Sequence, residues 1–146
     1  MATTITPAAM TVTVTESVTL NGVDFGSTLT RTIADIAEIS KRIITVTTTE
    51  SVIATFSAAV GQGIYIAAKV KYIRFTNLDN ANFIMLTFKD EDNTEFRIKV
   101  DAGQSFIYNG DNSGGLVDTM KSNGSALSSG LADLYDITAD ADTASC

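Results

Sequence analysis

The run Met10-Thr-Val-Thr-Val-Thr-Glu-Ser-Val-Thr-Leu20 alternates with a period of two. Val12, Val14, Val18 and Leu20 fall on one side of an extended chain, and Thr11, Thr13, Thr15 and Thr19 on the other. That is the pattern of a strand with one face to bury and one hydroxyl face. Asn21-Gly22 follows directly. A type I′ turn needs two successive positive φ angles, and this dipeptide accepts both, so a hairpin is predicted. The return strand carries Val23, Phe25, Leu29, Arg31 and Ile33, with Gly26 at a position that suits a bulge. About twenty threonines are spread along the chain, a residue type that favours half-buried strands.

The rest of the chain continues in this style. Strands are predicted over Arg42 to Thr49, Ser51 to Phe56, Ile64 to Ala68, Lys69 to Thr76, Phe83 to Lys89, Glu95 to Val100, Gln104 to Tyr108 and Leu131 to Thr138. Leu116-Val117 is a further short candidate. Phe83 to Lys89 is apolar on both faces and reads as a central strand. In Glu95 to Val100, Phe96, Ile98 and Val100 point inward, and Glu95, Arg97 and Lys99 outward. Turns are predicted at Asn77 to Asn82 and Asp90 to Asn93, with loops over 109–115 and 122–130. One segment is ambiguous. Ile33, Ile36 and Ile39 recur at spacing three, which suits a short helix near residues 33–40 or an irregular crossover between sheets. The expected fold is all-β, an antiparallel β-sandwich or jelly-roll-like domain over residues 10–139. A flexible arm (1–9) precedes it and a polar tail (140–146) follows.

Composition narrows the chemistry. The chain has no histidine, which removes Ser-His-Asp and Cys-His nucleophile systems and the commonest general base near neutral pH. The net charge of −7 is a poor footprint for nucleic acid. No stretch approaches the roughly 20 apolar residues of a membrane-spanning helix. The start has no basic n-region or apolar h-region, so synthesis in a cytoplasm without a Sec leader is expected. Cys146 is the only cysteine, which excludes an intrachain disulfide.

Few clusters suggest a site. Asp90, Asp92 and Glu95 open like a calcium loop, yet the glycine at the sixth position and the glutamate at the twelfth are missing. A solvated hairpin tip is the favoured reading, and no cofactor is implied. Asp133, Asp136, Asp140 and Asp142 read as an acidic edge. Tyr65, Tyr72, Tyr108 and Tyr135 are the available sugar-stacking rings. Lys69, Lys71, Arg74, Arg97 and Lys99 form a basic strip only if their strands are neighbours. Gly61-Gln-Gly63 and Gly110 to Gly115 lack the Lys-Ser or Lys-Thr of a phosphate loop.

Three segments in the middle carry a resemblance: Val70-Lys-Tyr-Ile-Arg-Phe-Thr-Asn-Leu-Asp79, Asn82-Phe-Ile-Met-Leu-Thr-Phe88 and Phe96-Arg-Ile-Lys-Val-Asp-Ala-Gly-Gln-Ser-Phe106. They resemble a pattern of small structural proteins of tailed bacteriophages, over about a quarter of the chain. The resemblance implies a non-enzymatic virion component, in the narrower reading a capsid decoration or cement protein. Its partners would be other virion proteins and further copies of itself. A tail-tube, tail-fibre or head–tail joining subunit is the alternative, and a helix at Ile33 to Ile39 would favour the tail. A carbohydrate-binding module is the alternative outside the structural class. Candidate contact residues are Ile5 and Met10 at the arm, with Ile36 and Ile39.

Overall fold

The computed structural model describes residues 4–61, 63–108, 115–121 and 131–146. The loops predicted over 109–115 and 122–130 lie outside the described residues, Gly115 excepted. The fold is all-β, and among the described residues its one helical element is a 3-10 turn at Ala67–Lys69. The chain divides into two compact units, Met1–Arg42 and Ile43–Cys146, where the sequence suggests one domain over 10–139.

The first unit is the predicted hairpin. β1 (Ala8–Glu16) pairs antiparallel with β4 (Ser27–Ile36), and β2 (Thr19–Leu20) with β3 (Val23–Asp24). Asn21 (φ 51°) and Gly22 (φ 80°) both lie in the left-handed region, as the type I′ turn demands. One register runs from Met10–Ile33 to Leu20–Val23, so Gly26 is not the expected bulge. A Cβ at Gly26 would lie 2.6 Å from the Glu16 carbonyl oxygen, and this close approach is what calls for glycine.

Of the two readings of residues 33–40, the short helix does not form: strand runs to Ile36, and residues 37–40 are irregular. Met10 faces Ile33 and Ala8 faces Ile36, so β4 carries one extra residue over this stretch, and Asp35 takes φ 57° there. An extra residue in a strand restores two side chains three apart to one face. The bulge therefore accounts for the Ile33–Ile36 spacing, while Ile39 lies beyond the strand. The strand also begins at Ala8, two residues inside the predicted arm.

The second unit is built on a five-stranded sheet. Its strands are β5 (Ser51–Ser57), β6 (Ile64–Ile66), β8 (Ile84–Asp90), β9 (Glu95–Val100) and β13 (Leu134–Ala141), in the order β6-β5-β13-β8-β9. β6 runs parallel to β5, and the other pairs are antiparallel. β7 (Ile73–Thr76) and β10 (Ser105–Tyr108) form a separate ribbon, as do β11 (Met120–Lys121) and β12 (Leu131–Ala132). Leu116 and Val117 lie in a turn, not the short strand suggested.

The core lies on one face of the large sheet. Ile84, Leu86 and Phe88 of β8 are buried with Ile137, Ala139 and Ala141 of β13, and Ile53 and Phe56 of β5. The Phe88 ring meets Phe75 of β7 at 6.3 Å and both Phe106 and Tyr108 of β10 at 5.5 Å. These contacts hold the ribbon over the sheet as a second layer. β8 is an interior strand as predicted, but the middle strand is β13.

Two predicted boundaries fail for one reason. Arg42 to Thr49 forms no strand, because it gains single bonds and not a ladder. Val46 exchanges both backbone hydrogen bonds with Cys146, and the Thr47 carbonyl accepts from Ala141. Those same bonds tie down residues 140–146, which the sequence suggests are a loose polar tail.

The turn between β7 and β8 is held by side chains. Asn77 is buried, and its Nδ2 donates to the carbonyls of Asn82 (2.9 Å) and Val100 (3.2 Å). Its Oδ1 accepts the Asp79 N–H at 3.1 Å, and Asp79 Oδ1 accepts from Ala81 and Asn82. Truncation would orphan two carbonyls and one N–H. Asn77→Ala is expected to lower stability by about 2–3 kcal/mol. Urea titration of the variant checks this, and a loss below about 0.5 kcal/mol would contradict the role given to Asn77.

Candidate functional site

The hairpin is an amphipathic ribbon with neither face covered along most of its length. In its register, Thr11, Thr13 and Thr15 stand opposite Thr32, Thr30 and Thr28. Hydroxyl contacts link Thr13 to Thr30 (3.3 Å) and Thr28 to Thr15 (3.4 Å). The other face pairs Met10 with Ile33, Val12 with Arg31, Val14 with Leu29 and Glu16 with Ser27. It continues through Val18, whose carbonyl accepts the Phe25 N–H, to Leu20 opposite Val23. Ser27 Oγ donates to Glu16 Oε2 at 2.8 Å.

This apolar face is the one the alternation marks for burial. Ile33 is buried, but Val14, Val18, Leu20, Val23, Phe25 and Leu29 are 48–70% exposed. Among the described residues of this unit, Ile33 is the single buried side chain. Exposed apolar residues scattered singly need no explanation, whereas a contiguous strip of six marks a contact surface. Charge points to the same place. The unit carries Glu16, Asp24, Asp35 and Glu38 against Arg31, Lys41 and Arg42, a net −1, so −6 of the chain's −7 belongs to residues 43–146.

The predicted contact residues gather only in part. Met10 and Ile36 are half-buried near the bulge, while Ile5 (65% exposed) and Ile39 (82% exposed) lie outside the strands. Reading the arm alone misses Phe25 and Leu29, although the Asn21-Gly22 register already places both on the apolar face.

The calcium candidates do not converge. Asp90 is buried, and its Oδ1 accepts the Thr94 N–H at 2.7 Å to close the turn, while Asp92 and Glu95 are exposed. Among the described residues, no group of three or more acidic or cysteine side chains is placed to hold a metal ion. The basic strip does not form either. Arg97 and Lys99 are on β9, which pairs with β8, and Arg74 is on β7, which pairs with β10. Arg97 binds Glu50 at 3.1 Å and Lys99 binds Asp101 at 2.6 Å.

The tyrosines make no shared platform. Tyr108 packs on Phe88, Tyr72 is half-buried, and Tyr135 is exposed where β13 shifts register. A cavity of about 270 Å³ is lined by Thr94, Glu95, Phe96, Tyr108, Thr119 and Met120. Among the described residues it contains one carboxylate, and acid–base hydrolysis of a glycoside takes two.

One carboxyl group makes stability depend on pH. Burial pushes Asp136 above the ordinary aspartate range, Lys89 pulls it partly back, and Glu50 and Glu95 add to the rise. One of its oxygens is buried without a hydrogen-bond partner. A raised pKa in the fold means a contribution fully present below the unfolded value and lost as pH rises through the folded one. Asp136→Asn should therefore raise the melting midpoint at pH 7, and the gain should shrink as pH falls toward 4. A gain that grew on acidification would reverse the assignment.

Comparison with protein-family models, curated proteins and solved structures finds no match to this chain.

Proposed function

We propose that this chain is a non-enzymatic structural subunit that works by associating with other subunits. On the resemblance of its central block, we place it in a phage virion, as a decoration or cement protein on the head shell. The observation that carries the reading is the apolar face of the hairpin. Six large apolar residues stand in solvent on a 42-residue unit whose described residues include one buried side chain. A two-stranded ribbon is marginal alone in water, and a unit this small usually draws stability from a neighbour. Assembly supplies the missing layer, and symmetry repeats each modest contact many times.

The helix that would favour a tail-tube subunit is strand in its first half, which keeps the head shell ahead of the tail. An antibody against the chain should label particles in electron micrographs of the lysate in which the chain is made. Label on heads supports decoration, and label on tails supports the alternative. Particles without label would remove the virion reading.

A further inference from the structure

We infer that the occupant of the hairpin's apolar face is the same face of a second copy, laid on it antiparallel about a two-fold axis at the Glu16–Ser27 pair. The inference rests on the reading of the chain as an assembling subunit and names its first contact.

The available strip has a centre. Ile33 is already buried, so the strip ends at the Val12–Arg31 pair and runs outward to Leu20–Val23 at the tip. Glu16–Ser27 lies midway, with Val14–Leu29 on one side and Val18 with Phe25 on the other. A two-fold axis there sets Leu29 over the partner's Phe25 and Val14 over the partner's Val18. Val12 comes over the partner's Leu20. The face is thus complementary to itself, which is what an isologous contact requires.

Area and charge agree with this occupant. Six apolar side chains 48–70% exposed offer on the order of 100 Å² each. Two copies would bury about 1,200 Å², the lower bound of a specific interface. A net −1 on the hairpin barely opposes pairing, whereas −6 on residues 43–146 keeps those units apart and leaves the hairpin as the meeting point. Two features oppose the contact: Arg31 comes over the partner's Val23, and Glu16 meets its own copy. The two Glu16 carboxylates face each other across the axis, each receiving a Ser27 hydroxyl. Like charges so placed repel.

Sedimentation velocity on the full chain over a wide concentration range tests this, with circular dichroism to confirm that each variant folds. The wild type should be a dimer. Leu29→Lys should raise the dissociation constant about a hundredfold or abolish pairing, while Thr30→Lys, one residue along on the hydroxyl face, should leave it within about threefold. Glu16→Gln should tighten the dimer several-fold by removing the repulsion at the axis.

A wild type that stays monomeric at every concentration would overturn the inference, as would equal loss in Leu29→Lys and Thr30→Lys. A Glu16→Gln dimer no tighter than wild type would overturn the placement of the axis. A monomer that still labels particles would remove the pairing and leave the structural reading standing. A dimer absent from every particle would do the opposite.

Discussion

Phe88→Ala is expected to cost about 3–5 kcal/mol, enough to lower the melting temperature of the second unit by more than about 12 °C. Phe88 is fully buried on an interior strand, and its ring touches four others. Phe96 stacks on it at 4.8 Å, Phe106 and Tyr108 approach at 5.5 Å, and Phe75 meets it edge-on at 6.3 Å. Phe75, Phe106 and Tyr108 belong to the β7–β10 ribbon, so deleting the ring opens the space between two layers. The surrounding strands are held by backbone ladders and cannot collapse fully into it, so a cavity penalty adds to the lost transfer energy. Phe96 provides the control. It is 40% exposed on β9 and has less to lose, so Phe96→Ala should cost less than half as much. Chemical denaturation of both variants decides the matter. A Phe88→Ala loss under about 1.5 kcal/mol, or one no larger than that of Phe96→Ala, would mean that the ribbon is not anchored through this ring.

The hairpin was readable because its information is local. Alternation sets the two faces, and Asn21-Gly22 sets the register, so Phe25 and Leu29 follow without any long-range contact. The alternation could not say whether the marked face would be covered. Amphipathicity records a demand for a partner and is silent on where that partner comes from. The bulge at Asp35 misled for a related reason, since a spacing of three is shared by helices and bulged strands, and only cross-strand pairing separates them. Arg42 to Thr49 has the β-branched content of a strand, but a strand needs a ladder, and pairing is decided by distant chain. Ala141 looks like a tail residue because it is small, yet it is buried with Ala139 in the core, where β13 pairs with β8 in the sheet. Asp90 belongs with Asn77. Each is a polar residue drawn inside by turn hydrogen bonds, and for Asp90 the clue was the threonine four residues later more than the surrounding acids.

Gly115→Ala should be the most damaging of the substitutions at the described glycines, at about 3 kcal/mol or more. Gly115 has φ 63°, where an L side chain is strained by roughly 1–2 kcal/mol. Space is the larger obstacle. A Cβ there would collide with the Ala67 carbonyl oxygen and lie 2.6 Å from the Ala68 carbonyl carbon, and both are backbone that cannot swing aside. The same carbonyl oxygen accepts the Leu116 N–H at 2.7 Å, and the Leu116 carbonyl in turn accepts from Leu134 at the start of β13. Pushing Gly115 away would therefore loosen the seat of Leu116, a fully buried side chain, and the tie from the 3-10 turn to the middle strand. Gly103 isolates the steric part, because it lies in the same unit with φ 72° and nothing within 4 Å of its Cβ position. Gly103→Ala pays for conformation alone, at about 1–2 kcal/mol. Measured side by side in urea, Gly115→Ala should exceed Gly103→Ala by at least about 1 kcal/mol. Equal losses would mean that the chain at Gly115 moves away freely and that Leu116 is held by packing without this close approach.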